Sequence, residues 1–386
     1  LRSVKRSAGR SALLVVTLVV AVIVLSRMPS SGSGADAALP DAPGASAAPR
    51  DPTSTPSTAS TPRRGASTAR SATTEVSGKA RIRLRFAGDI NFTGPLSAAL
   101  ASDPATALAA ISPALHDADL SVANLETAVT SRGTAAAKQY AFRAPASSFT
   151  ALEAAGLDVV TMANNHGLDF GLDGVDDALA ASKSSGLPVI GIGRDEDQAY
   201  RPFETTIRGH RVAVIGATQV IDDNLIESWT ATATHPGLAS AKRVDRLLAE
   251  VRATRARTDT LVVFLHWGIE THTCPSETQE TLARQLVDAG ADIVVGSHAH
   301  RVEGGGRLGQ AIVDYGLGNF AFDAPSAASS NSGIFQVAIG GGKPTSYEWL
   351  PAHIGGDNVP RLLTGAAKAD ADRTWDSQRA CTGLDK

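Results

Sequence analysis

From about residue 80 onward, short apolar runs rich in β-branched residues recur at intervals that leave room for one helix between them. Residues 81–86 alternate polar and apolar side chains, so one face is buried and the other meets solvent. Residues 120–123, 159–162, 189–192, 212–215, 261–265, 293–295, 311–315 and 335–339 read as further strands. Helical patterns occupy 146–155, 174–184, 241–254 and 276–289, and Gly156, Gly186 and Gly290 suit helix C-termini. Strands alternating with helices predict an α/β architecture. In such folds ligands gather at the carboxyl ends of the strands.

The residues at those ends carry chemistry. Gly88-Asp89-Ile90-Asn91 follows the first strand, Asn124-Leu125-Glu126 the second and Asn164-Asn165-His166 the third. His266-Trp267-Gly268-Ile269-Glu270 and Gly296-Ser297-His298-Ala299-His300 follow two later ones. Asp89 and Glu126 offer anionic oxygens, Asn165 a neutral oxygen, and His266, His298 and His300 imidazole nitrogens. A mixed oxygen and nitrogen set suits zinc, manganese or iron better than calcium. The donors suffice for one divalent ion or two, and a pair could clamp an oxyanion and activate a water. Each motif alone has a plainer reading. Gly88-Asp89 is a common turn, Glu126 could sit at a helix N-terminus, and Asn164 and Asn165 could make Asx turns. His266 could be a satisfied core histidine. Their joint occurrence at five strand ends favours a metal centre.

The ordered set GDIN, NLE, ANNHGLDFG, HWGIE, GSHAH and YGLGNFAFD resembles the CapA family of capsule and poly-γ-glutamate biosynthesis proteins over residues 81–354. That family is related to calcineurin-like metallophosphoesterases. The resemblance implies a two-sheet sandwich flanked by helices (α/β/β/α). It implies Asp89, Glu126, Asn165, His266, His298 and His300 as metal ligands, and His166 as the acid at a leaving group. It also implies an anchored extracellular protein that helps make or export an anionic polymer. Two positions depart from the phosphoesterase pattern. Asn91 stands in place of a metal-binding histidine, and Glu126 in place of an aspartate. Phosphatase activity therefore does not follow from the fold.

Other residues have a role and a plainer alternative. Arg143 could hold a carboxylate or phosphate with its planar fork, or be an exposed cation at a strand edge. Glu270 could orient His266 or bind substrate, or pair on the surface. Asn91, Asn164 and Asn319 are expected to support the ligands, with a plain turn as the alternative for Asn319. His166 follows a ligand on a turn, so it should reach over the substrate side; alternatively it bonds Asp169 and steadies the turn. Gly304–Gly306 and Gly340–Gly342 read as loops, and Trp267 as core.

The N-terminal part sets the compartment. Arg2, Lys5, Arg6 and Arg10 precede an apolar run over 12–25. As a helix the run spans ~20 Å, which suits a secretory signal or a retained anchor. Residues 27–79 are dominated by Ser, Thr, Ala, Pro and Gly and read as a flexible linker or stalk. A stalk favours an anchor at 1–26, a linker at 27–79 and one folded domain over 80–386. The predicted location is extracytoplasmic, on the membrane through the N-terminal helix, or secreted if Ala35-Asp36-Ala37 is cleaved. A net charge of −3 gives no support to nucleic-acid binding. Cys274 and Cys381, the only cysteines, exclude a Cys-rich zinc module; outside the cytoplasm they could form one disulfide or remain two thiols.

Two functions remain. One is a metal-dependent hydrolase of a phosphoester or γ-glutamyl bond. The other is a non-catalytic component of a polymer-synthesis or export complex that uses metal for structure or for binding polymer carboxylates.

Overall fold

The predicted strands assemble into two stacked sheets in the computed structural model, which describes residues 79–386. The apolar run over 12–25 and the linker, apart from Lys79, lie outside the described residues. Among the described residues no helix is long and apolar enough to cross a membrane.

The first sheet has eight strands. Ile82–Ile90, Leu120–Leu125, Val159–Thr161 and Val189–Ile190 run parallel, in that order. Asn331–Gly340, Lys343–Ile354 and Pro360–Leu362 extend the other side antiparallel. The short strand Asn319–Ala321 pairs parallel to the end of the first strand, placing Asn319 opposite Asp89. In the six-stranded second sheet, His210–Thr218, Thr260–Trp267, Ile293–His298 and Ala311–Asp314 are parallel, with antiparallel Phe203–Ile207 and Gly305–Leu308 at the edges.

Residues buried on both faces explain the near-continuous apolar runs of the central strands. Phe86, Val122 and Phe335 from the first sheet pack with Val214, Phe264 and Val295 from the second between the layers. The outer face of the first sheet packs Leu96, Phe149, Leu152 and Val175 from its helices. The outer face of the second packs Leu247, Val251, Leu282 and Leu286 from Val244–Arg255 and Glu277–Ala289. The fold is thus the expected α/β/β/α sandwich. The parallel strands run beyond the predicted apolar stretches into the polar motifs: the first reaches Ile90 and another reaches His298. Gly305 and Gly306 belong to a strand rather than a loop, because they pair with Asp314 and Val313.

Helix Gly365–Gln378 packs on the strand Lys343–Ile354, and a Cys274–Cys381 disulfide follows it, with Cα atoms 5.7 Å apart. The loop after His266 and the C-terminal segment are therefore joined, as one of the two cysteine alternatives holds.

Two carboxyls outside the strand-end motifs are also buried. Burial pushes Glu303 up to about 8, against a 2.9 Å hydrogen bond donated by Gln279 Nε2, and pushes Asp314 up to about 7. A carboxyl whose folded pKa is raised contributes stability that is complete below about 4.5 and is lost as pH rises through about 8. Glu303→Gln is therefore expected to gain about 4 kcal/mol near pH 8 and almost nothing near pH 4. Urea unfolding at the two pH values checks this; an equal effect at both would show that Glu303 ionises freely in the fold.

Candidate metal centre

Parallel strands deliver the motifs to one edge of the sandwich. Asp89 is the penultimate residue of the first strand, Asn124 lies on its neighbour, and Glu126 directly follows that neighbour. His266 and His298 lie opposite neighbouring positions on paired strands, His266 against Ser297 and Trp267 against His298. The chain then turns sharply. His298 and His300 have φ of 100° and 52°, in the left-handed region that non-glycine residues rarely adopt. Such strain persists where surrounding contacts over-determine it, often at functional sites. Gly88 permits the approach of the segment carrying Asn319: a Cβ there would lie 1.8 Å from the Gly318 carbonyl oxygen.

The six predicted ligands converge. Glu126 is fully buried, and neither carboxylate oxygen has a hydrogen-bond partner among the described residues. Its Oε1 lies 3.5 Å from His266 Nε2 and 4.0 Å from His300 Nε2. His266 Nε2 is 2.7 Å from Asn165 Oδ1, and His300 Nδ1 is 3.5 Å from Asp89 Oδ2. Three donor sets overlap: Glu126, His266 and His298; Asp89, Glu126 and His300; Glu270, His298 and His300. Within each, the donor atoms all lie within 4.8 Å of one another. Glu270 is exposed and joins from the outer side.

Supporting contacts fix the donors. Asn124 Nδ2 donates to Asp89 Oδ1 at 2.8 Å, and the His298 backbone N–H donates to Asp89 Oδ2 at 3.2 Å. Asn164 Nδ2 donates to Asn124 Oδ1 and to the Leu125 carbonyl, both at 2.9 Å. Ser297 Oγ lies 3.1 Å from His266 Nδ1, and Asn319 Oδ1 lies 2.7 Å from His300 Nδ1. Asn164 thus contacts Asn124, and Asn319 contacts His300. Asn91 is buried, and neither its side-chain Oδ1 nor its Nδ2 has a partner among the described residues.

The donor chemistry fits a cation. Burial, then the Asp89 charge, push Glu126 well above the usual carboxylate range, and burial raises Asp89. Burial lowers His266 well below the usual imidazole range and takes His298 down to about 3. Neutral imidazoles present lone pairs, and two buried carboxylates this close repel unless a positive charge lies between them. The partnerless Glu126 oxygens and His298 Nδ1 are the atoms a bound ion would satisfy.

His166 is buried beside Glu126. Its Nδ1 is 2.6 Å from Asp169 Oδ2, its Nε2 is 3.9 Å from Glu126 Oε1, and the Phe142 ring lies 4.2 Å from its own. Asp169 is fully buried and also accepts the Phe142 backbone N–H. A carboxylate only accepts, so Nδ1 donates and the neutral ring keeps a lone pair on Nε2. Lys138, which the sequence did not single out, bonds the Asn165 carbonyl and lies 3.1 Å from Asp169 Oδ1. It comes from a loop without periodicity, so no local signal marks it. Arg143 is placed elsewhere: it donates to the Arg132 and Gly133 carbonyls and stacks 3.5 Å over the Phe170 ring.

The α/β/β/α sandwich gathers carboxylate, amide and imidazole donors at the ends of its parallel strands. Residues 83–324 match the family described as bacterial capsule synthesis protein PGA_cap, and the chain belongs to that family. It is 33% identical over 220 residues to the capsule biosynthesis protein CapA of Bacillus anthracis, covering 56% of this chain and 52% of that one. Against the PGA biosynthesis protein CapA of Bacillus subtilis it is 28% identical over 247 residues, covering 63% and 64%. A probable polyglutamine synthesis accessory protein of Mycobacterium tuberculosis is 32% identical over 189 residues, covering 47% and 50%. The matched stretch thus spans between half and two thirds of these relatives. Among solved structures, a phosphatase of Mycoplasma pneumoniae is 14% identical with a TM-score of 0.44, covering 71% of this chain and 94% of that one.

Proposed function

We propose that the chain is an exported metal-dependent hydrolase acting on a phosphoester or γ-glutamyl bond during synthesis of a capsule or poly-γ-glutamate-type polymer. The observation that carries this reading is the partnerless, buried Glu126 carboxylate shared by two donor sets, with His166 beside it. A divalent transition metal held by Asp89, Glu126, Asn165, His266, His298 and His300 would supply Lewis acidity toward an oxyanion. Asp89 and Glu126 set the negative charge of the site, and the asparagine chain from Asn164 through Asn124 keeps Asp89 oriented. Asp169, backed by Lys138, holds His166 so that Nε2 lies beside Glu126, where it would take the proton of the attacking water and return it to the departing group. The apolar run over 12–25 would anchor the protein on the outer side of the cytoplasmic membrane.

A second reading is a non-catalytic component of a polymer-synthesis complex that uses metal to grip polymer carboxylates. Neutral Asn91, where the resemblance places an imidazole in enzymes, favours it. Metal analysis of the purified full chain, followed by a panel of phosphoesters and γ-glutamyl peptides, separates the two. Turnover that disappears with chelator and returns with manganese or zinc is expected. Bound metal without turnover on any member would instead support the second reading, and absence of metal would overturn both.

A further inference from the structure

A cavity of about 500 Å³ lies between helix Gly365–Gln378 and the strands Asn331–Gly340 and Lys343–Ile354. Its volume is in the range of small-molecule sites. Two of its lining residues bond the segments that carry His300 and Asn319. Arg301, which lines it, follows His300 and donates through Nη1 to the His300 carbonyl at 2.7 Å. Ser332, also in the lining, donates to the Asn319 carbonyl at 2.7 Å, and Asn319 in turn holds His300. Thr273 lines it three residues after Glu270, and the neighbouring Cys274–Cys381 bridge ties that loop to the segment after the helix.

The lining has a distinct chemistry. Trp349 and Trp375 lie with ring planes 4° apart and form an apolar wall. Of the lining carboxylates and guanidiniums, Asp370 is neutralised by Arg373, whereas Arg301 has no carboxylate partner among the described residues. The uncompensated charge is therefore positive and lies at the end nearest His300. A guanidinium fork beside an apolar wall, with amides and hydroxyls around it, suits a carboxylate on a peptide-like chain.

We propose that this cavity is a substrate subsite that takes an acidic, peptide-like segment flanking the bond presented to the metal cluster. The proposal rests on the reading of that cluster as the reacting centre. Trp349 and Trp375 provide the readout, since the other two tryptophans, Trp229 and Trp267, are buried away from the cavity. The full chain, metal-loaded and chelator-stripped, is titrated with γ-linked triglutamate, with its neutral triamide and with inorganic phosphate, following tryptophan emission. Triglutamate is expected to give a saturable change in both forms, with the triamide about tenfold weaker or more and phosphate silent. Ala371→Phe, which fills the cavity from the helix, should weaken triglutamate binding by about tenfold or more. Unchanged affinity in a folded Ala371→Phe protein overturns the subsite. If that variant does not fold, unchanged affinity in Arg301→Gln overturns it equally. Binding that vanishes on metal removal assigns the carboxylate to the cluster and overturns the cavity's role, leaving the metal reading intact. Cavity binding in a metal-loaded protein that turns over neither γ-glutamyl nor phosphoester substrates ends the hydrolase reading and with it the flanking-bond role, leaving the cavity a carboxylate-binding site only.

Discussion

Replacing His298 and His300 together with alanine is expected to abolish metal binding and to lower unfolding free energy at saturating metal by about 4 kcal/mol. That is the stabilisation given by a ligand at roughly a thousand times its dissociation constant. The pair touches all three donor sets, so no set survives intact. Both positions keep their left-handed φ in the variant, and alanine is no better suited to it than histidine, so relief of strain does not offset the loss. In chelator the difference should shrink to about 1 kcal/mol, because the stripped proteins differ mainly in packing. Elemental analysis and urea unfolding with and without metal check both parts. Unchanged metal content in the folded double variant would remove the cluster from consideration as a metal centre.

His166→Ala is expected to keep the metal and to lower turnover by about 10²–10⁴, the usual contribution of a positioned acid or base. His266→Ala should lose metal as well, because its Nε2 sits among the donors. The separation follows from geometry. His166 Nδ1 is committed to Asp169, and its Nε2 lies 3.9 Å from Glu126 Oε1. Substrates whose leaving group is a weak base need no proton and should be less affected. Asp169→Asn should mimic the defect in turnover more than any defect in metal content, since it alters the tautomer held at Nδ1. Loss of metal and stability together in His166→Ala would show that the residue only steadies its turn. Full turnover in the metal-loaded variant would remove it from proton transfer.

The reading of Lys343–Ile354 shows why some elements stay hidden. This twelve-residue strand carries Pro344 and Pro351, and proline removes a ladder donor, so the segment does not read as a strand. Pro344 is tolerated where the register shifts between Ala338 and Ile339 of its partner. Helix Gly365–Gln378 is similarly quiet: of its side chains only Trp375 is buried, and it depends on packing against the strand Lys343–Ile354. The cavity and its paired indoles are therefore invisible to local pattern.

What the sequence determined by itself is the α/β alternation and the donors at the strand ends. Both depend on neighbours a few residues apart: side-chain period sets the strands, and the residue after each parallel strand must emerge on the same edge. Hence Asp89, Glu126, Asn165, His266, His298 and His300 were legible as candidates without coordinates, and the structure gathers their side chains. Only the tertiary structure decided that Asn319 pairs beside Asp89, that Lys138 backs Asp169, that Arg143 turns to its own loop, and that Cys274 meets Cys381. Each of these depends on how two packed sheets and their loops are registered against one another, a relation between residues distant in the chain that no local periodicity encodes.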